Sequence, residues 1–283
     1  MLGSFSGIMN PHPTLLDHPF RVPFGERRDL SAHPTRDSGF LDVPREEAER
    51  MVLELEERID ELQNRLYAEG KRRLIVVLQA MDTGGKDGTI RKVFDKMDPQ
   101  GLRVVSFKKP SEAELSRDYL WRVHKEVPGN GEVVIFNRSH YEDITAVRVR
   151  QIFPEEVWRR RYRHIVEFER MLVEEGSAVL KIFLHISRNE QRKRLQSRLD
   201  EPGKNWKFSP SDLEDRARWP CFMEAFSEVF AETSTDHAPW YIVPADRKWH
   251  RNLVVADLVV KVLEGFSMSY PEVDFDPASI KID

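Results

Sequence analysis

Five consecutive apolar residues, Leu74-Ile75-Val76-Val77-Leu78, run straight into a glycine-bearing stretch, Gln79-Ala80-Met81-Asp82-Thr83-Gly84-Gly85-Lys86. A run this short and this uniformly apolar predicts a strand covered on both faces, the environment of a parallel sheet between two layers of helices. The rest of the chain repeats the alternation. Strands are expected at Arg103–Phe107, Glu132–Phe136, Val179–Leu184 and Trp240–Val243. Between and after them, helical patterns cover about 86–97, 112–125, 154–175 and 253–263, with a very polar helical region over 188–236. Strands separated by helices of this length predict an α/β fold, a parallel five-stranded sheet flanked by helices.

Upstream, five prolines in residues 1–43 (Pro11, Pro13, Pro19, Pro23, Pro34) predict an extended arm lying over the domain or over a neighbouring subunit. A helix should begin near Pro44, with Glu46 and Glu47 at its positive end, and stop at Gly70. Ala48, Val52, Leu55, Ile59, Leu62 and Leu66 form its apolar stripe. That stripe suits packing on the domain or a short dimer-forming seam. Residues 44–283 then make one domain, long enough at 283 residues in total to bury a large core.

Composition narrows the function classes. With 40% hydrophobic and 33% charged residues, the chain is too apolar for global disorder and lacks any run long enough to span a bilayer. The first residues show no secretory signal, and a single cysteine, Cys221, excludes an internal disulfide. A net charge of −4 and a pI near 6.2 argue against a nucleic-acid coat. The expectation is a soluble cytoplasmic protein with neither nucleic acid nor membrane as partner.

The glycine stretch carries the strongest chemical signal. A phosphate-binding loop between a strand and a helix reads G-x-x-x-x-G-K-[ST], with backbone N–H groups converging on phosphate and the lysine reaching the outer oxygens. Gly84, Gly85, Lys86, Gly88 and Thr89 fit that context. Two positions depart: Ala80 replaces the first glycine, and Asp87 replaces the hydroxyl residue that usually ligates magnesium. Asp82 adds a carboxylate that repels phosphate unless a cation intervenes, so Mg2+ held by Asp82 is expected, with Mn2+ as a substitute. The bland alternative is a glycine turn with surface charges.

A second apolar strand ends in Asn137-Arg138-Ser139-His140-Tyr141-Glu142-Asp143. Ligands collect at the carboxyl ends of strands in doubly wound sheets, which would bring Asn137 and Arg138 to face Asp82 and Lys86. Glu142 and Asp143 are further metal or sugar candidates, and His140 reads as a structural hydrogen-bonder. A third region, Arg192 to Leu199 followed by Lys204-Asn205-Trp206-Lys207, places Arg194 and Arg198 on one helical face. In isolation that is a solvated surface. In a kinase it suits a mobile lid over about 188–220. Lys108 and Lys109 add positive charge at the end of the second strand.

Taken together, these three motifs resemble the polyphosphate kinase 2 family over roughly residues 45–265. The resemblance implies a thymidylate-kinase-like P-loop fold with a helical lid. It also implies reversible, Mg2+-dependent transfer of the terminal phosphoryl group of inorganic polyphosphate to a nucleotide. It assigns Asp82 to magnesium and acceptor activation, Lys86 to the transferring phosphate, and Arg138 and Arg198 to catalysis. Asp87 matches the acid after the loop lysine, while Lys108, Arg194, Lys204 and Lys207 line the polyphosphate path and Asn137 joins Asp82 at the metal. Many members carry aspartate where this chain has Asn137, and Asn-Arg-Ser-His-Tyr-Glu-Asp resembles the class III subgroup, which accepts both AMP and ADP. Homodimers or homotetramers are usual in the family. The nearest rival is an ATP-dependent nucleoside monophosphate kinase on the same fold; a non-catalytic polyanion- or RNA-binding module is a more distant one.

Overall fold

The computed structural model describes residues 17–36 and 43–282; residues 1–16, which include Pro11 and Pro13, lie outside them. In chain order the sheet and its helices are β1 (Arg21–Val22), α1 (Arg45–Glu69), β2 (Arg73–Gln79), α2 (Lys86–Val93), β3 (Leu102–Ser106), α3 (Glu112–Leu115), α4 (Trp121–His124), β4 (Val133–Asn137) and α5 (Glu142–Val149). There follow α6 (Glu155–Glu174), β5 (Ser177–His185), α7 (Arg188–Asp200), α8 (Ser211–Ala217), α9 (Trp219–Thr233), β6 (Trp240–Pro244) and α10 (Lys248–Gly265). A 3-10 turn, Pro202–Lys207, joins α7 to α8.

The five expected strands pair in parallel in the order β6-β5-β2-β4-β3, and the apolar run of β2 lies at the centre, with Leu74 to Leu78 buried. Register decides which loops meet. Leu78 of β2 stands opposite Asn137 of β4 on one side and Ile182 of β5 on the other, so the loops after β2 and β4 leave the sheet side by side.

The expected five-stranded sheet needs one correction. A sixth strand, β1, comes from the proline-containing arm and pairs antiparallel with β6 through Arg21 opposite Tyr241 and Val22 opposite Trp240. A strand of two residues, set between Pro19 and Pro23, carries no usable period, which is why it is invisible to pattern reading. Proline also restricts such a strand to a sheet edge, where β1 sits. The described part of the arm therefore lies on its own domain. Farther along it, Leu30 offers its carbonyl to His185 Nε2 at 3.0 Å, and Thr35 bonds the Asp246 carboxylate at 3.0 Å.

Gly70 caps α1 in the left-handed conformation at φ 60°, and the helix stripe is buried within the chain, with Ala48 and Val52 against Leu253 of α10. That stripe is not free to form a dimer seam. The expected helix over 112–125 begins on the Ser111 cap but is broken into the short α3 and α4, where the Asp118 side chain accepts the N–H groups of Leu120 and Trp121 and starts a new turn. The helix after the glycine loop ends at Val93 rather than near residue 97, and α5 has no counterpart in the sequence pattern.

Beneath β4 and β5 lies a buried polar cluster. Lys181 Nζ contacts Glu169 Oε2 at 2.6 Å, Tyr141 Oη at 2.9 Å and the Thr233 carbonyl at 2.7 Å, so all three ammonium protons have acceptors. Tyr141 donates to Glu169 Oε1 at 2.8 Å, and His140 Nε2 lies 3.3 Å from the same oxygen. His140 is thus the structural hydrogen-bonder its context suggested. This cluster ties β5, α6 and the end of α9 to the turn that begins at Arg138.

Candidate active site

The loop after β2 folds tightly because glycine permits it. Gly85 sits at φ 106°, and any Cβ there would run into the guanidinium of Arg251. A Cβ on Gly84 would strike Ala80 and come within 2.8 Å of the Met81 carbonyl. Thr83, at φ 61°, takes the left-handed conformation without being glycine, a local strain of the kind that collects at functional sites. Next, α2 begins with its N-terminus turned to the loop, the arrangement that favours a bound anion.

Lys86 is buried, and its ammonium donates to the Ala80 carbonyl at 3.2 Å, across the mouth of the loop. Burial, helped by the neighbouring Arg138, lowers its pKa to about 8, although Asp82, Glu142 and Asp87 pull the other way. Between pH about 8 and the ordinary lysine value the unfolded chain holds this proton more tightly. The cost of burying the charge is therefore present below pH 8 and is relieved as pH rises through that interval.

The β4 loop meets this lysine from the adjacent strand. Arg138 takes a left-handed turn at φ 65°, anchors its N–H to the Leu78 carbonyl at 3.1 Å, and pairs Nη2 with Asp82 Oδ1 at 2.7 Å. Asn137 Nδ2 donates to Asp87 Oδ1 at 2.7 Å. Behind them, the Gln79 amide is satisfied with its nitrogen toward Glu142 Oε1 and its oxygen toward the Ser139 N–H, each at 3.1 Å. Burial raises the Glu142 carboxyl, and Arg138 and Lys86 oppose that. Glu142 in turn is the main reason the Arg138 guanidinium is held above its ordinary value. Two cations and three carboxylates are thus gathered at the ends of neighbouring strands.

The lid side is tied down differently from expectation. Arg194, expected to touch substrate, donates instead to the carbonyls of Thr83 (3.0 Å), Gly84 (3.2 Å) and Ala245 (2.7 Å). It therefore clamps the glycine loop to the end of β6. Gln191 adds a bond to the Asp82 carbonyl at 3.2 Å. Arg198 lies farther along α7, bonded to the Lys207 carbonyl at 2.8 Å and to Asp212 at 3.0 Å. Lys204 pairs with Glu201 at 2.5 Å, and Lys207 lies over the Trp206 ring. Thr89 is buried with its hydroxyl turned back to the Gly85 carbonyl, and Lys108 is exposed beyond β3. Arg198, Lys204, Lys207 and Lys108 are not drawn into the cluster around Lys86.

Arg251 carries no signal in the sequence. It is 3% exposed in the last helix, donates to Asn252 Oδ1 at 2.7 Å, and packs against Gly85 and Gly88 beside Arg194. Burial and the Arg194 charge lower its pKa to about 10. No local motif marks it; only the return of α10 to the loop brings it there. Together Arg194 and Arg251 put two guanidinium charges behind the glycine loop.

A divalent cation fits these residues in one particular way. Among the described residues no three acidic, histidine or cysteine side chains form a ready cage. Mg2+ seldom needs one, since it keeps several waters and takes one or two protein oxygens plus substrate phosphates. Asp82 keeps Oδ2 free of Arg138, and Asn137 keeps its amide oxygen free of Asp87. Those two oxygens are a suitable protein contribution.

The packing of the loop and the burial of its lysine each have a measurable consequence. Gly85→Ala should keep the fold's far-ultraviolet signature yet lower kcat/KM for phosphoryl transfer by ~100-fold or more, since alanine is strained at φ 106° and the Arg251 guanidinium would have to give way; a loss under about threefold would contradict the packing. Affinity for inorganic triphosphate, followed by calorimetry, should be highest below pH 8 and fall as pH rises through it, because an anion favours protonated Lys86. A flat profile between pH ~7 and ~9 would show that Lys86 does not face the anion.

Residues 42–270 match the family model described as Polyphosphate kinase 2 (PPK2). An AMP/ADP-polyphosphate phosphotransferase of Meiothermus ruber is 53% identical over 253 residues, 89% of this chain and 95% of that protein. An ADP-polyphosphate phosphotransferase of Rhodopseudomonas palustris is 42% identical over 89% of this chain and 91% of its own length. A crystal structure of Polyphosphate Kinase 2 from Arthrobacter aurescens TC1 superposes with a TM-score of 0.86 at 40% identity, covering 89% of this chain and 90% of that one. With the glycine loop, the Arg138 turn and the α7 region all inside the matched span, the chain belongs to the polyphosphate kinase 2 family.

Proposed function

We propose that this protein transfers the terminal phosphoryl group of inorganic polyphosphate to AMP and ADP, reversibly and with a divalent cation. The observation that carries the reading is the meeting of Lys86, the Asp82–Arg138 pair and the Asn137–Asp87 pair at the ends of β2 and β4. The 53% identical relative is named for both AMP and ADP, which supports both acceptors for this chain.

Phosphoryl transfer asks a protein chiefly to align two polyanions and to stabilise charge on the equatorial oxygens. Lys86, protonated below about pH 8, holds the transferring group against the loop N–H groups. Arg138, oriented by Asp82, contacts phosphate oxygens in the bidentate manner guanidinium allows. Asp82 and Asn137 would hold Mg2+, or Mn2+ in its place, which would supply positive charge to offset the repulsion between donor and acceptor. A nucleotide phosphate already carries an anionic oxygen near neutral pH, so no general base is needed and no protein residue becomes phosphorylated. Arg198 and the basic residues Lys204 and Lys207 belong to a lid, over about 188–220, that closes on the phosphates. Lys108 extends the positive rim, and the assembly is a homodimer or homotetramer as is usual in the family.

Asp87 stands where ATP-dependent P-loop kinases carry the magnesium-ligating hydroxyl, which disfavours ATP as the ordinary donor. A donor swap tests the proposal. With ADP, magnesium and long-chain polyphosphate but no ATP, the protein should produce ATP, and with AMP it should produce ADP. Product appearing only when ATP is the donor to AMP would establish the ATP-dependent reading instead.

A further inference from the structure

Beyond the ends of β3 and β4 lies a cavity of about 520 Å³, separate from the glycine loop. Its walls come from the β3–β4 crossover (Glu114, Arg117, Asp118, Tyr119, Arg122) and from α6 with the segment before it (Phe153, Arg160, Arg161, Arg163, His164). It shares one wall with the site just described, because Asp143, which follows Glu142, lines it. In the sheet, β3 lies two strand spacings, ~10 Å, from β2.

The charges of this cavity do not cancel. Each of its three carboxylates already has protein partners. Glu114 is held in the capping box with Ser111, Asp118 accepts the N–H groups of Leu120 and Trp121, and Asp143 lies between Arg122 (3.5 Å) and Arg161 (3.8 Å). The cations are only partly matched. Arg122 and Arg161 serve Asp143, and Arg161 also stacks on the rings of Tyr119 and Phe153. Arg117 bonds a backbone carbonyl and lies over Trp121. Arg160 and Arg163 are exposed and have no acid partner among the described residues. Unmatched guanidinium groups around a concavity are a site for an anion with several negative centres.

We propose that this cavity is a second polyphosphate subsite, holding a remote segment of the donor chain while its end lies at Lys86. The proposal rests on the kinase reading above and adds to it. A long chain of identical anionic units gains from a second attachment on the same rim of the sheet, because the first raises the local concentration for the next. A short donor that ends at the glycine loop gains nothing.

Arg160→Gln/Arg163→Gln tests it, both residues being exposed and outside the catalytic cluster. The variant should raise KM for long-chain polyphosphate by roughly five- to tenfold. It should leave kcat, KM for ADP and turnover of inorganic tetraphosphate unchanged. Calorimetry should show the same weakening for the long chain, and the wild-type value should depend more steeply on salt than the variant's. Equal KM for the long chain in both proteins overturns the proposal, as does an equal rise for long and short donors. A rise confined to ADP would assign the cavity to the nucleotide instead. Should the wild type make no ATP from either donor, the kinase reading itself fails.

Discussion

Lys86 is a buried ammonium at the carboxyl end of the central strand, close to losing its proton in the neutral range, with acids and bases arranged closely around it. Everything near it bears on that tension. Removing a lysine from water lowers its pKa, and the neighbouring Arg138 guanidinium lowers it further. Asp82, Glu142 and Asp87 counter that. The result is a cation that the fold has partly stripped of water and that gains from an incoming anion. A site of this kind gives a stronger field than an exposed lysine does, because the surroundings are fixed in advance and of low polarity.

Holding such a loop in place takes structure from distant parts of the chain. Arg194 ties its carbonyls to the end of β6, and Arg251 fills the space that a side chain at residue 85 would need. The same β6 turn is reached by the arm, since Asp246 accepts from both Thr35 and Ser187. On the other side, the Lys181–Glu169–Tyr141 cluster sits beneath the Arg138 turn. The arm and the buried ion pair are both linked to the loops that meet at Lys86, although neither touches that lysine.

What can be read from the sequence divides along physical lines. The central strands are legible because uniform burial writes an unbroken apolar run, as in Leu74 to Leu78 and Val133 to Phe136. The glycine loop is legible because its chemistry is local: Gly84, Gly85 and Lys86 act within a few residues. Asn137 and Arg138 are legible through topology, since parallel neighbours bring their loops to one edge. By contrast, β1 is two residues long, and a period cannot be read from two positions. The break between α3 and α4 goes with the Asp118 side chain, which accepts the N–H groups of Leu120 and Trp121 in competition with helix continuation. In sequence Arg194 looks like a surface charge of the lid, and Arg251 falls just outside the helix expected over 253–263. Their roles come from contacts between segments far apart in the chain, and no local pattern records such contacts.

We propose that the glycine loop and the Arg138 turn jointly receive the end of a phosphate chain. A crystal structure of the protein with long-chain polyphosphate and Mg2+ tests it most directly. The terminal phosphate should lie within hydrogen-bond reach of Lys86 Nζ and Arg138, with the cation against Asp82. Terminal phosphate density lying elsewhere, with Lys86 still bonded to the Ala80 carbonyl, would contradict it.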